Sequence, residues 1–411
     1  MQRIAIIGAG ASGCFAAANV PAAGDTEVVV YEKTGKAMQK VKVSGGGRCN
    51  TTHSCFDIPE LLNRYPRGKQ LLKKSLHRFG PQQTIDWFAA RGVQLKTEAD
   101  GRMFPVSDDS QTIIDCIWQE MMRRKVQVFF HKSVVSVQQK DGKFLMTFAD
   151  TSVASADVLM IATGGFPKAE QYKWITALGH TIEQSVPSLF TFNMPGNPVT
   201  ELMGVSVPDA VVKISGTKIS SRGPLLITHW GMSGPAILKT SAIAARELAD
   251  RQYTFTAMVN WLGEMSEADL KEAITVLRKE QGKQMVWSKS PFELPRRLWE
   301  YQLKRCGIAE QVRWGDLPAQ GQNKLVEHLL RDAYPVAGKT TFKEEFVTCG
   351  GINLKEIDPQ TMESRVVPGL YFGGELMDVD GITGGYNFQH AWSSGCIAAH
   401  SMAAKHAETR A

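Results

Sequence analysis

Three glycines near the start of the chain, Gly8, Gly10 and Gly13, follow an apolar run, and a second apolar run ends at Glu32. Glycines at this spacing allow a tight turn, close approach of a pyrophosphate to the backbone, and close packing of a helix on a strand. The N–H groups and positive dipole end of that helix attract phosphate. An acid placed like Glu32 accepts hydrogen bonds from ribose hydroxyls and disfavours a 2′-phosphate. The pattern predicts a dinucleotide site, with Gly8, Gly10, Ala11, Ser12 and Gly13 at the pyrophosphate and Glu32 and Lys33 at the ribose.

Three further segments rich in glycine lie far apart along the chain: SGGGRCN (44–50), IATGG (161–165), and YFGGE with GITGGYN (371–387). Each adjoins a strand-like or helix-like run, so one long ligand could contact bare backbone at several points. FAD needs more such contacts than NAD, because it extends from an adenine to a tricyclic ring. The sequence therefore predicts FAD, held in addition by Lys40, Ser44, Gly45, Gly46, Arg48, Cys49, Asn50, Thr163, Gly164, Gly165, Gly374, Glu375, Asp378, Gly384, Gly385, Tyr386 and Asn387.

Two side chains of the second segment have an alternative interpretation. Arg48 offers a planar, permanently charged fork suited to phosphate or to flavin carbonyl groups, and the alternative is a surface salt bridge. Cys49 could be a redox thiol, but no partner cysteine is near it in the sequence. We therefore predict that Cys49 is a small residue packed beside the cofactor.

The elements that must position these segments alternate between strands and helices over the first part of the chain. Residues 60–92 predict helices, residues 101–107 a loop marked by a proline, and Asp141-Gly142 the turn of a hairpin. Short strand-like pieces begin near residue 186, and the apolar spacing in residues 266–333 predicts helices. The fold class expected is α/β: a split Rossmann-like FAD-binding domain (1–185 and 341–411) with an inserted β-barrel-like domain (186–265) and a small helical subdomain (266–340).

Composition limits the partners and the location. The 47 Lys and Arg residues exceed the 41 Asp and Glu residues, giving a mild net charge of +6 that fits an anionic cofactor or substrate. The basic stretch 64–78 could contact nucleic acid, but it has no repeated aromatics, so a solvated helix face is favoured and a nucleic-acid partner is not expected. The seven cysteines are scattered without a CxxC pair, which favours the cytoplasm. We expect no metal and no membrane span, and we leave monomer and homodimer open.

The segments GAGASG, SGGGRCN, DGRMFPVS, THWGMSGPAIL and GGELMDVDGITGGYNFQHAWSSG, in this order, resemble the bacterial BaiN-like (YhiN-like) NAD(P)/FAD-dependent oxidoreductases. These belong to the larger glutathione-reductase-type FAD fold. The resemblance covers nearly the whole chain, although the segment after Gly165 is shorter than in many relatives. It implies one FAD, an adenine contact by the backbone at Val134, a turn beneath the FAD at Thr163–Gly165, and the start of the last helix against the flavin.

The resemblance also implies a reaction. We expect a reductase that passes hydride from NAD(P)H through FAD to a small organic acceptor such as an activated C=C bond. Candidate proton donors are Tyr386, His390 and His229. The alternatives are a flavin oxidase or dehydrogenase of an amine or hydroxy acid, and a flavin-containing RNA-binding or regulatory protein.

Overall fold

The structure, a computed structural model, describes residues 2–21, 26–340 and 347–408. It divides into two compact units, residues 1–188 with 343–411, and residues 189–342. The sheet of the first unit is therefore built from both ends of the chain, and the second unit is an insertion between them.

The helices and strands of the first unit before the insertion are β1 (Gln2–Ile7), α1 (Ala11–Asn19), β2 (Thr26–Tyr31), α2 (Gln39–Gly47), β3 (Thr52–His53), α3 (Ile58–Leu62), α4 (Lys69–Arg78), α5 (Pro81–Ala89), β4 (Leu95–Thr97), β5 (Arg102–Pro105), α6 (Ser110–Arg123), β6 (Gln127–Phe129), β7 (Val134–Lys140), β8 (Lys143–Phe148), β9 (Val153–Ala156), β10 (Val158–Ile161), α7 (Lys173–Thr176) and β11 (Ile182–Ser188).

The insertion contains β12 (Thr191–Asn193), β13 (Ser206–Ile214), β14 (Ser220–Thr228), β15 (Gly231–Ser233), α8 (Pro235–Ile243), α9 (Ala245–Asp250), β16 (Thr254–Asn260), α10 (Glu267–Glu280), α11 (Arg296–Arg305), α12 (Ala319–Leu330), β17 (Asp332–Ala337) and β18 (Lys339–Thr340). The chain then returns to the first unit with β19 (Val347–Ile352), β20 (Leu370–Phe372) and α13 (Tyr386–Glu408).

A five-stranded parallel sheet, in the order β20-β10-β1-β2-β6, forms the centre of the first unit. Its inner strands are apolar along their length; residues 4–6 of β1 are fully buried, and the Tyr31 ring of β2 packs on the Phe148 ring of the antiparallel strand β8. Strand β20, from the far end of the chain, pairs in parallel with β10 through Leu159 and Leu370. The predicted α/β class with a split, Rossmann-like sheet is confirmed.

Two local predictions in the first unit have different outcomes. The hairpin is confirmed, because Asp141 and Gly142 both have positive φ angles, 50° and 74°, and join the paired strands β7 and β8. The loop predicted for residues 101–107 is wrong, since residues 102–105 form β5, the middle strand of the sheet β3-β5-β4. Met103 and Phe104 are buried there, and Pro105 occupies the last position of the strand.

The second unit contains a seven-stranded sheet in the order β17-β16-β13-β14-β15-β12-β18. Strands β17 and β18 complete it although they fall in the range predicted as a helical subdomain. Helices α10, α11 and α12 bury apolar side chains in the same core as the sheet; Trp261, Trp299 and Trp314 are nearly inaccessible within it. A division of this unit at residue 265 therefore stays a prediction.

Candidate functional site

Three glycine-rich segments meet at one edge of the parallel sheet because they follow the adjacent strands β1, β10 and β20. The carboxyl edge of such a sheet is where open α/β folds bind ligands. A Cβ atom on Gly8 would lie 2.5 Å from the carbonyl oxygen of Ala162, and one on Gly373 would lie 2.4 Å from the Ser12 hydroxyl oxygen. The sheet order thus brings together residues separated by most of the chain.

Gly8 and Gly13 are required by the protein itself. Gly8 has a φ angle of +106° and no room for a side chain, and a Cβ atom on Gly13 would lie 2.0 Å from the carbonyl oxygen of Gly8. The backbone N–H of Gly8 donates to the carbonyl oxygen of Tyr31 at 2.8 Å. These contacts hold the turn between β1 and α1 tightly against β2 and β10.

Gly10 is different, because no contact among the described residues requires a glycine there. Its φ angle is −83°, and a Cβ atom would meet only the Ala162 carbonyl oxygen, at 3.9 Å. Gly10 is the N-cap of α1 and offers no side chain to the free N–H groups of the first turn. Beside it the Ser12 hydroxyl is buried without a hydrogen-bond partner among the described residues. An open backbone, free helix N–H groups and an orphaned hydroxyl suit a phosphate ligand.

Glu32 lies at the end of β2, where it is nearly buried. Its Oε2 accepts a hydrogen bond from the backbone N–H of Ala9 at 2.9 Å, and Oε1 accepts from the N–H of Thr34 at 2.8 Å. The carboxylate thus fixes the glycine turn in this structure, and its contact with a ribose stays a prediction. Neighbouring Lys33 is exposed, with Nζ 5.9 Å from the centroid of the Phe166 ring.

The fourth segment, SGGGRCN, bends sharply at its glycines. Gly45, Gly46 and Gly47 have consecutive φ angles of +58°, +69° and +86°, and no atom lies within 4 Å of a Cβ built on Gly46 or Gly47. Ser44 precedes them with an extended backbone, which interrupts α2. The segment is joined to GITGGYN through Asn50, whose amide bridges the N–H of Gly385 and the carbonyl oxygen of Thr52, both at 3.0 Å.

Arg48 forms a salt bridge, in agreement with the alternative interpretation of this residue. Its guanidinium lies 2.7 Å from a carboxylate oxygen of Glu98 and 3.5 Å from one of Asp108, and it covers the ring of Phe104 at 4.1 Å. A role toward the cofactor would require Arg48 to leave these carboxylates, so that role stays a prediction.

Cys49 is fully buried, and burial raises the pKa of its thiol to about 11. A thiol in that state is a poor nucleophile at neutral pH. All seven cysteines are buried, and none of them forms a disulfide. The geometry supports the interpretation of Cys49 as a packed small residue rather than a redox centre.

The segment IATGG lies against the returning strand β19. A Cβ atom on Gly165 would lie 2.4 Å from the hydroxyl oxygen of Thr348, while Gly164 has a φ angle of +74°. The backbone N–H of Thr348 donates to Glu375 at 2.7 Å, and Lys40 donates to the other oxygen of Glu375 at 2.9 Å. The predicted cofactor residues Lys40, Gly165 and Glu375 are thus neighbours. Of the others, Thr163 contacts the adjacent Gly164 carbonyl oxygen at 3.2 Å, and Val134 is the first residue of β7.

The start of α13 is closely packed around Tyr386. The ring of His53 stacks on the Tyr386 ring at 4.9 Å, and the Tyr65 hydroxyl donates to the Tyr386 carbonyl oxygen at 2.8 Å. Gly384 and Gly385 precede it with φ angles of +139° and +87°. Burial raises the pKa of the Tyr386 hydroxyl well above its ordinary value, so this hydroxyl stays protonated at neutral pH.

Asn387 holds the loop before α13 in place. Its side-chain oxygen accepts from the backbone N–H of Gly381 at 2.8 Å, and its amide donates to the Gly381 carbonyl oxygen at 3.0 Å. Asp378 lies in the same loop and is partly buried.

The two histidines predicted as proton donors differ in their surroundings. His390 is fully enclosed, with Nε2 3.2 Å from the Gly374 carbonyl oxygen, and burial lowers its pKa to about 4. A neutral, enclosed imidazole is poorly suited to deliver protons, so this geometry argues against His390. His229 belongs to the second unit, where it is exposed and packs against Trp230 at 4.3 Å. Its role stays a prediction.

Sequence reasoning missed a buried ion pair in the loop that leads to α13. Asp380 is completely buried and forms a bidentate pair with Arg67, and its Oδ2 accepts from the Ser188 hydroxyl at 2.8 Å. Arg67 falls within the basic stretch 64–78, for which a solvated helix face was expected, and Asp380 was not among the predicted site residues. The two residues are 313 positions apart, so no local pattern could have revealed the pair.

We expect Asp380→Asn to destabilise the first unit by about 3–5 kcal/mol, because it leaves the buried guanidinium of Arg67 without a counter-charge. Urea unfolding followed by circular dichroism measures this change. The double variant Arg67→Met/Asp380→Leu removes both charges and should regain most of the loss. A loss below about 1 kcal/mol in Asp380→Asn would show that the pair does not hold this loop.

The described residues offer neither a membrane span nor a metal cluster. Within them, no helix has the length and apolar character needed to cross a bilayer. The same residues contain no group of three or more His, Cys, Asp or Glu side chains that could hold a metal ion.

Comparison with known proteins identifies the relatives of this chain. The family described as HI0933-like protein Rossmann domain matches residues 2–401. A ribosomal RNA dihydrouridine synthase from Escherichia coli is 31% identical and covers 97% of each chain. A 3-dehydro-bile acid delta(4,6)-reductase from Clostridium scindens is 28% identical and covers 98% of this chain and 99% of its own.

Among solved structures, a 3-ketosteroid-delta4-(5alpha)-dehydrogenase from Rhodococcus jostii RHA1 aligns with a TM-score of 0.49 and 13% identity over 97% of both chains. A likeness at that level carries no argument about function. The family match and the full-length relatives confirm the predicted resemblance and the predicted enzyme class, an FAD-dependent oxidoreductase. The chain belongs to the HI0933-like Rossmann family.

Proposed function

We propose that this protein reduces a carbon–carbon double bond conjugated to a carbonyl group, using FAD and a hydride from NAD(P)H, in the cytoplasm. The observation that carries the proposal is that its two kinds of full-length relative are named for reactions of the same type. Forming dihydrouridine saturates the C5=C6 bond of uracil, which is conjugated to the C4 carbonyl. A bile acid delta(4,6)-reductase likewise saturates bonds conjugated to a 3-keto group. One reaction class therefore accounts for both kinds of relative.

The described residues fit FAD. Gly10, Ser12 and the first turn of α1 would hold the pyrophosphate, since they leave open backbone and unpaired donors there. The start of α13 would face the flavin, where its positive end favours a negative charge. When bound, FAD accepts a hydride from a donor and transfers it to an acceptor.

Within this proposal Tyr386 supplies the proton. Hydride addition to the double bond leaves an enolate, and the reaction is balanced when a proton reaches the carbon next to the carbonyl. The Tyr386 hydroxyl carries a proton at neutral pH, as an ordinary tyrosine does, and burial raises its pKa further. Its ring is held between His53 and Tyr65, so the hydroxyl is positioned before the acceptor arrives.

We propose a uridine in ribosomal RNA as the acceptor. This departs from the sequence-based expectation of no nucleic-acid partner, and the relative at 31% identity over nearly the full length favours it. A steroid-like 4-en-3-one is the second candidate, favoured by the relative at 28% identity.

The acceptors are distinguished by supplying each with NADPH, and separately with NADH, under anaerobic conditions. We expect ribosomal RNA transcribed in vitro to yield dihydrouridine, detected by mass spectrometry as a uridine that has gained two hydrogen atoms. Reduction of the steroid alone would support the second candidate. Reduction of neither, with peroxide released in air from an amine or hydroxy acid, would overturn the proposal in favour of an oxidase.

A further inference from the structure

Helix α4 has an exposed face made only of basic and polar residues. Its leucines and Ser75 are buried, whereas the exposed positions are Lys69, Gln70, Lys73, Lys74, His77 and Arg78. The helix contains no acidic residue. Packing of the core requires only that the leucines and Ser75 be buried. It does not explain why the exposed positions are basic.

The positive charges on this face are not compensated within the helix. Lys69 and Lys73 are four residues apart, as are Lys74 and Arg78, so each pair repels by a few tenths of a kcal/mol. No ion pair of Lys69, Lys73 or Lys74 occurs within the described residues. Arg78 is held by the backbone carbonyl of Gln360 rather than by an acid. An arrangement of this kind is complementary to an anionic partner.

The first unit also contains a second cluster of basic residues. Three arginines, Arg91, Arg123 and Arg124, contact the single carboxylate of Glu120 at 3.5, 2.7 and 2.8 Å.

The other end of α4 adjoins the candidate site. Gly68, the N-cap of α4, is so close to the loop before α13 that a Cβ atom on it would lie 2.6 Å from the Val379 side chain. That loop carries Asp380 and leads to Tyr386. With about 1.5 Å per residue, α4 extends the basic face for about 15 Å away from the site.

We propose that the exposed face of α4, with Lys69, Lys73, Lys74 and Arg78, binds the phosphate backbone of the RNA whose uridine is reduced. This inference rests on the proposed function with RNA as the acceptor. Lysines on a helix contact phosphates without reading sequence, so the face supplies affinity and orientation. A protein partner or a membrane would favour exposed apolar or aromatic anchors, which this face lacks.

The test compares two variants that lose the same charge. The α4 variant, Lys73→Gln/Lys74→Gln/Arg78→Gln, removes three positive charges from the exposed face of α4. The control variant, Lys140→Gln/Lys279→Gln/Lys283→Gln, removes three exposed lysines elsewhere. The probe is in vitro transcribed ribosomal RNA, with affinity measured at several salt concentrations. For the α4 variant we expect affinity about 10-fold or more weaker and a salt slope lower by about two to three. The control variant should bind like the wild type.

Three results would overturn the inference: wild-type affinity in the α4 variant, equal losses in both variants, or no RNA binding by the wild-type protein. Reduction of the bound flavin by NAD(P)H is measured in each variant in parallel. A wild-type protein whose flavin is not reduced would contradict the proposed function, whereas an α4 variant that keeps this half-reaction but loses RNA affinity supports the inference alone.

Discussion

Replacing Gly10 by alanine is expected to produce a folded protein that no longer retains FAD. The backbone of Gly10 is in an ordinary region and a methyl group meets nothing closer than 3.9 Å in the protein. The same methyl would occupy the space where a pyrophosphate approaches the helix N-terminus. Losing one or two charge-assisted hydrogen bonds corresponds to about 3 kcal/mol, or about 100-fold weaker FAD binding.

Flavin fluorescence titration of the apoprotein measures this affinity, and thermal unfolding of the apoprotein measures folding. Gly13→Ala is the contrasting variant, because its methyl would lie 2.0 Å from the Gly8 carbonyl oxygen. It should destabilise the protein with or without FAD. If Gly10→Ala bound FAD like the wild type, the phosphate site would not lie at this turn.

Replacing Tyr386 by phenylalanine is expected to slow reduction of the acceptor by about 100-fold or more, the contribution typical of a positioned general acid. The ring should remain packed between His53 and Tyr65, because the substitution removes only the hydroxyl. Reduction of the flavin by NAD(P)H needs no proton from this group and should change little. Stopped-flow measurement of the two half-reactions separates the effects.

Tyr65→Phe is the matched control for this variant. It also removes one buried hydroxyl, which donates to the Tyr386 carbonyl oxygen at 2.8 Å. The net loss of one such hydrogen bond is about 1 kcal/mol of stability, and we expect little change in the acceptor half-reaction. Equal slowing in both variants, or none in Tyr386→Phe, would show that Tyr386 does not deliver the proton.

The sheet and its glycine turns could be predicted because their signals are local. One strand-turn-helix-strand unit contains Gly8, Gly13 and the two apolar runs. The sheet order then places Ala162, which follows β10, against Gly8. The prediction of a loop at residues 101–107 was wrong, and the reason is also local. Pro105 marks a loop in the sequence-based prediction, whereas it is the last residue of a strand.

The polar contacts of the site could not be predicted in the same way. Arg48 is next to glycines in the sequence, which suggested a ligand, but Glu98 and Asp108 lie beside it only after folding. Asp380 depends on Arg67, from the opposite end of the chain. Burial, which lowers the pKa of His390 and argues against it as a proton donor, is likewise a property of the packed structure.

The most direct test of the central claim is an anaerobic titration of the purified protein. We predict a yellow protein whose bound FAD is bleached by NADPH or NADH and recovers its colour when a conjugated acceptor is added. Recovery should match the amount of dihydrouridine, or of saturated ketone, that is formed. A colourless protein that takes up no FAD, or a flavin that neither nicotinamide reduces, would contradict the account.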